Sequence, residues 1–191
     1  IGRPYSFVSA PNEGFHEFYS ITVAEGALSP RLAELKAGDH VYLGKKPNGF
    51  LILDEIPESE DLWMLSTGTG IGPFLSILKT DQAWTRFNKL VLVHAVRNAA
   101  ELAYRELIDE LSAKHPDQFC YVPFVSREKT DFSLPGRIPA GFKNGSLEKR
   151  AGIKVEEGKS QIMLCGNPDM VKDTRELLQK RGLTKNLRRT P

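Results

Sequence analysis

Two patterns of apolar and polar positions divide the chain. In residues 3–9 (RPYSFVS) and 15–23 (FHEFYSITV), aromatic and β-branched residues dominate, and the turn-forming APNEG stands between them. This predicts a hairpin or meander. The next stretch, GALSPRLAELKAGD, changes to helical spacing. Leu32 and Leu35 form a short apolar stripe, Ser29 suits an N-cap, Pro30 the first helical position, and Gly38 the helix end. HVYLG then reads as a strand again. So few strands leave open edges, so this part on its own cannot close a barrel.

From Leu62 onward the pattern alternates. Short apolar runs (LWMLS, LVLVHAV, FCYVPFVS, QIMLC) are interleaved with helical ones (FLSILK, AAELAYRELIDELSAK, PDMVKDTRELLQKRG). Leu102, Leu107, Ile108 and Leu111 keep helical spacing, as do Met170, Val171, Leu177 and Leu178. Strands alternating with helices predict a parallel sheet covered on both faces. The polar, proline-containing DEIPESED, residues 54–61, marks the change. The predicted organisation is thus β followed by α/β, with domains at 1–57 and 58–191.

Ligands of such sheets bind beyond the carboxyl ends of the strands. The four predicted strand ends carry STGTGIGPF, HAVRNAAEL, VSREKTDF followed by PGRIP, and CGNPDM. The first is a glycine-rich turn between strand and helix, yet it matches neither G-x-G-x-x-G nor the P-loop. Gly68, Gly70 and Gly72 lack a Cβ and would let a flat ring approach the backbone closely, with Thr67 and Thr69 supplying polar contacts. Arg97, Arg127 and Arg137 each follow a strand on this side. An arginine after the second strand, where NAD enzymes place an acid, suits a 2′-phosphate, and the planar guanidinium matches phosphate oxygens. An exposed arginine is as readily a solvated loop residue; three at adjacent strand ends favour NADP. In CGNPDM, Asn167 suits a cap, Pro168 a first turn, and Asp169 opposes the helix dipole. Cys165 is either a small apolar filler or a residue facing the ligand.

Composition narrows the classes further. The chain has 191 residues, a formal net charge of +2 and two cysteines, Cys120 and Cys165. That charge is too small to indicate a nucleic-acid binder. Two separated cysteines provide no disulfide framework, zinc site or iron–sulfur ligand set, so no metal is expected. No apolar run is long enough to span a bilayer. The expectation is a cytoplasmic, monomeric protein with no membrane or nucleic-acid partner. The chain starts at Ile1, so a beginning inside a longer protein is expected.

RPYS at 3–6, GALSPRL at 26–32, STGTGIGPF at 66–74, VHAVR at 93–97, VSRE at 125–128, GRIP at 136–139 and CGNPDM at 165–170 occur in one order. That order resembles the ferredoxin–NADP reductase family, specifically its bacterial ferredoxin/flavodoxin reductase branch. The resemblance covers nearly the whole chain. It implies a partial antiparallel FAD-binding β-barrel followed by an NADP-binding parallel-sheet domain. It also implies an FAD-dependent oxidoreductase that takes hydride from NADPH and passes electrons to an acidic ferredoxin or flavodoxin.

The resemblance places Arg3, Pro4, Tyr5 and Ser6 on the FAD, with Arg3 at the pyrophosphate, Tyr5 on the isoalloxazine and Ser6 near N5. It makes Tyr19 a second flavin contact and sets the backbone of Ala27, Leu28 and Ser29 at the FAD phosphates. It puts Thr69 near the flavin, and Val96, Arg97, Ser126, Arg127, Arg137, Asn167 and Asp169 on the NADP. Ser6 and Cys165 would flank the reacting rings. Tyr5 and Tyr19 also fit ordinary core packing. Family members carry strands before R-x-Y-S and an aromatic residue beyond RRTP, so segments are expected at both ends. Lys45, Lys46 and the basic stretch from Lys180 to Arg189 are candidate contacts for the acidic carrier. A reductase module of a multicomponent oxygenase, or a non-catalytic flavin- or nucleotide-binding redox module, are the alternatives.

Overall fold

The structure, a computed structural model, describes residues 2–186. Its centre is a five-stranded, wholly parallel sheet in the order β4-β3-β2-β1-β5. The strands are β1 (Asp61–Thr67), β2 (Lys89–Val96), β3 (Phe119–Val125), β4 (Leu134–Pro135) and β5 (Ser160–Cys165). Leu62 to Ser66 are buried without a break, as are Leu90 to Val96. Continuous apolar runs of this kind are what a sheet covered on both faces requires.

The pleat sends alternate residues to two cores. Leu62, Met64, Leu90 and Leu92 pack with Phe74, Leu75 and Leu78 of α2 (Gly72–Leu78), Ala83 of α3 (Asp81–Arg86) and Ile108 of α4 (Arg105–Lys114). Trp63, Leu65, Val91 and Val93 pack on the other face. Their partners are Ile138 and Phe142 of α5 (Ile138–Lys143), Leu147 of α6 (Ser146–Ala151), and Met170 and Leu178 of α7 (Pro168–Lys180). At β1 the strand order reverses: β2 lies on one side and β5 on the other. In open parallel sheets the binding crevice lies at such a switch point, outside the carboxyl ends of the strands.

The first third departs from its expected strands. Among the described residues before 58 there is one isolated antiparallel bridge, Phe7 to Phe18, and no named strand. The bridge does close the predicted hairpin: Val8 N–H donates to the Glu17 carbonyl at 2.8 Å, and the Phe7 and Phe18 rings lie 4.8 Å apart. HVYLG forms no strand. The physical reason is that a strand's backbone groups need a neighbour to bond, and this segment has no such partner strand among the described residues. Phe15, Ile21, Val23, Val41, Tyr42, Leu43 and Ile52 are accordingly exposed.

The helix expected to run to Gly38 is also shorter, α1 (Ser29–Ala33). Leu28, not Ser29, is its N-cap, because the Ser29 hydroxyl oxygen accepts the Val23 N–H at 2.9 Å instead. Gly38 takes φ +98° in the following Lys36–Asp39 turn rather than ending the helix. In the second half, the predicted helix over 99–114 is interrupted. A 3-10 turn, Ala99–Glu101, precedes α4, and Tyr104 between them is left-handed.

Candidate functional site

The turn after β1 and the turn after β5 meet at the switch point. Gly166 has φ +136°, a region open chiefly to glycine, and a Cβ there would fall 2.1 Å from Thr67 Oγ1. The same Thr67 Oγ1 accepts the Asn167 N–H at 2.7 Å. A Cβ on Gly70 would lie 2.5 Å from the Cys165 carbonyl oxygen. These glycines therefore serve close packing of one backbone on another. That corrects the reading in which Gly68, Gly70 and Gly72 all admit a flat ring. Only Gly68, at φ +53°, faces open space, with nothing within 4 Å of a Cβ position.

The second hold on this turn comes from below. His94, wholly buried in β2, places Nε2 3.0 Å from the Gly68 carbonyl oxygen. A carbonyl can only accept, so Nε2 carries the proton. Burial pushes the His94 pKa down to about 4, against smaller upward effects of the Gly68 bond and Glu101. The ring is therefore neutral at physiological pH. Periodicity marked His94 only as one polar letter in an apolar strand, and its role needed the turn's position in space.

The amino-terminal segment reaches the same place. A Cβ on Gly72 would lie 3.2 Å from Val8 Cγ2 and 3.9 Å from the carbonyl oxygens of Ser6 and Phe7. RPYS thus runs beside the start of α2. Arg3, Pro4 and Ser6 are exposed and Tyr5 is half-buried. Ser76 Oγ donates to the Ser9 carbonyl at 2.8 Å, and Lys79 Nζ pairs with Glu13 at 3.2 Å and Glu17 at 3.3 Å. Tyr19 is half-buried against the first core cluster, and its ring meets Tyr104 edge-on at 5.5 Å. In the loop before α1, Ala27 is exposed while Leu28 and Ser29 are half-buried. α1, at five residues, offers little helix to aim at a phosphate.

The arginines line one rim. Arg127 N–H donates to the Arg97 carbonyl at 2.8 Å, extending the β2–β3 ladder past the strand ends. Gly136 N–H donates to the Val125 carbonyl at 3.2 Å, which brings Arg137, the residue before α5, to the next position along the edge. All three side chains are exposed, and among the described residues none of these guanidinium groups has a carboxylate or carbonyl partner. They are available to an anion. Val96 turns its side chain into a small core with Leu102 and Val125, while its carbonyl accepts both the Ser126 N–H and hydroxyl at 3.2 Å.

Across the crevice, Asn167 Oδ1 accepts the N–H groups of Asp169 at 2.8 Å and Met170 at 3.2 Å, so it caps α7 as its sequence suggests. Asp169 is exposed, and Thr69 is half-buried on the turn. Cys165 is half-buried beside the first core, and burial pushes its thiol up, so it is neutral at physiological pH.

Among the described residues there is no cluster of histidine, cysteine and carboxylate side chains suited to a metal, and no helix is long and apolar enough to cross a membrane. Of the basic stretch, Lys45, Lys46 and Lys180 are exposed, while Arg181 is bound to Glu148 at 2.7 Å. Arg188 and Arg189 lie outside the described residues. A cavity of about 520 Å³ sits at α5–α7, lined by Lys143, Glu148 and Arg181, and takes no part in this crevice.

Residues 64–176 match the oxidoreductase NAD-binding domain family. The chain is 49% identical over 174 residues to a flavodoxin/ferredoxin–NADP reductase of Escherichia coli (strain K12), covering 91% of this chain and 70% of that protein. It is 45% identical over 192 residues to a protein of the same description from Buchnera aphidicola subsp. Baizongia pistaciae, covering 100% and 77%. A solved ferredoxin NADP+ reductase from Neisseria gonorrhoeae with bound FAD and NADP superposes with a TM-score of 0.93 at 36% identity, covering 99% of this chain and 76% of that one.

Proposed function

The chain belongs to the flavodoxin/ferredoxin–NADP reductase family, and from that premise we propose how its own residues carry the activity. The protein is an oxidoreductase that uses FAD and NADP(H), taking hydride from NADPH and delivering electrons to ferredoxin or flavodoxin. The observation that carries the reading is the meeting of RPYS with the glycine turn at Gly72, beside three arginines on the same sheet edge that have no side-chain partner among the described residues.

FAD, when bound, supplies the hydride and one-electron chemistry, and the protein supplies geometry and electrostatics. Residues 1–57 form part of its binding barrel, in keeping with the exposed apolar side chains there. Arg3 neutralises the pyrophosphate, Tyr5 and Tyr19 pack on the ring system, and the Ser6 hydroxyl stands near N5. Gly68 leaves room above the turn, and Thr69 offers a hydroxyl there. Arg97, Arg127 and Arg137 hold the 2′-phosphate through charge-assisted bonds, with Ser126 and Asp169 at the crevice walls. The neutral Cys165 thiol excludes water beside the reacting rings rather than moving a proton.

The decisive experiment is an anaerobic NADPH titration of the flavin-loaded full-length protein. Bleaching of the visible flavin band is expected, and NADH should bleach it far less readily. A flavin band that NADPH leaves unchanged would overturn the assignment.

A further inference from the structure

Tyr104 is the one non-glycine residue with positive φ among those described, at φ 60° and ψ 28°. An L-residue pays roughly 1–2 kcal/mol in this region, and asparagine or glycine would hold the same backbone at less cost. A bulky aromatic kept there signals that its side chain is wanted. Tyr104 is the N-cap residue of α4, its carbonyl accepting the Ile108 N–H at 3.0 Å, but its side chain makes no capping bond.

The side chain lies half-buried on the first core cluster and from there reaches the amino-terminal segment. Its O–H donates to Glu17 Oε1 at 2.8 Å, and its ring packs edge-on against Tyr19 at 5.5 Å and 85°. Burial, and then the Glu17 carboxylate, push the phenol well above its ordinary range, so it remains a donor. The other Glu17 oxygen pairs with Lys79, which ends α2, the helix opened by the glycine turn. One carboxylate thus ties the Tyr19 segment to both α2 and the start of α4.

We infer that Tyr104 is a positioning residue for the flavin site: its hydroxyl and ring edge fix the Tyr19 ring in the orientation that receives the isoalloxazine. The inference rests on the reading of Tyr19 as a flavin contact. The left-handed backbone aims the side chain across the domain boundary, and Glu17 locks it there with an oriented, charge-assisted bond.

The test uses Tyr104→Phe, which keeps the ring, and Tyr104→Asn, which suits the left-handed backbone but removes ring and hydroxyl, both in the full-length protein. Measured are FAD affinity of the apoprotein, NADP+ affinity, and the visible circular dichroism of bound flavin. FAD affinity should fall about threefold in Tyr104→Phe and about tenfold or more in Tyr104→Asn, with altered flavin dichroism and unchanged NADP+ affinity. Unchanged FAD affinity and dichroism in Tyr104→Asn would refute the inference. Equal loss of FAD and NADP+ affinity would refute it too, by showing a general structural role. A wild-type protein that binds no FAD would overturn the functional reading itself, which separates the two failures.

Discussion

His94 offers a test whose size follows from its surroundings. The imidazole is fully buried, donates from Nε2 to the Gly68 carbonyl at 3.0 Å, and has its pKa lowered from 6.5 to about 4, chiefly by burial. The folded protein thus holds it neutral, whereas the unfolded chain protonates it below pH 6.5. Between pH 6.5 and about 4 the unfolded state binds more protons, so stability rises with pH there. The contribution is fully present above pH 6.5 and lost as pH falls. The full shift corresponds to about 3 kcal/mol, of which about 2 kcal/mol is gone by about pH 5.

His94→Gln isolates this effect. The glutamine amide nitrogen sits near the place of Nε2, can still donate to Gly68, and does not titrate. Urea unfolding of both proteins across this pH range cancels the other titrating groups in the difference. The stability of wild type relative to His94→Gln should therefore fall by about 2 kcal/mol from neutral pH to about pH 5. Parallel stability curves would refute the buried, neutral histidine. His94→Leu leaves the Gly68 carbonyl without this donor and should cost about 1–3 kcal/mol more at neutral pH.

Three further outcomes are expected. Gly70→Ala pushes a methyl group against the Cys165 carbonyl, which as backbone cannot swing aside; denaturant unfolding should show a loss of about 1–3 kcal/mol, and an unchanged midpoint would contradict the packed turn. Thr67→Val removes the acceptor of the Asn167 N–H, so that amide should exchange faster with solvent and stability should drop by about 1 kcal/mol. Arg97→Ala combined with Arg127→Ala should weaken NADPH on the order of a hundredfold and leave NADH nearly unaffected; equal loss for both nucleotides would remove these residues from the 2′-phosphate.

The parallel sheet was legible because central strands buried on both faces write an unbroken apolar run, as β1 and β2 do. β3 and the edge strand β5 keep apolar runs although several of their residues are only half-buried. Two-residue β4 is too short to leave a pattern, and α3, α5 and α6 are six residues each, below the length at which an apolar stripe stands out. The cap of α7 was readable because Asn167 and Pro168 act on the backbone next to them. Ser29 failed the same reasoning because Val23, brought close by the loop, offered its hydroxyl oxygen another donor.

Sequence alone determined which strands carry the chemistry-bearing turns and which residue types stand on them, because alternation and local capping depend only on near neighbours. Tertiary structure decided what those residues do. Asn167 N–H reaches Thr67 across a hundred residues of chain, Glu17 meets Tyr104, and His94 finds Gly68. It also decided that Tyr104 breaks a stretch whose local preference is helical throughout. Such pairings form only once the strand order 4-3-2-1-5 brings distant turns to one sheet edge, and no periodicity along the chain encodes them. Strand pairing in the first third follows the same physics: its residues favour extended backbone, but the hydrogen bonds of a strand are decided by what lies beside it.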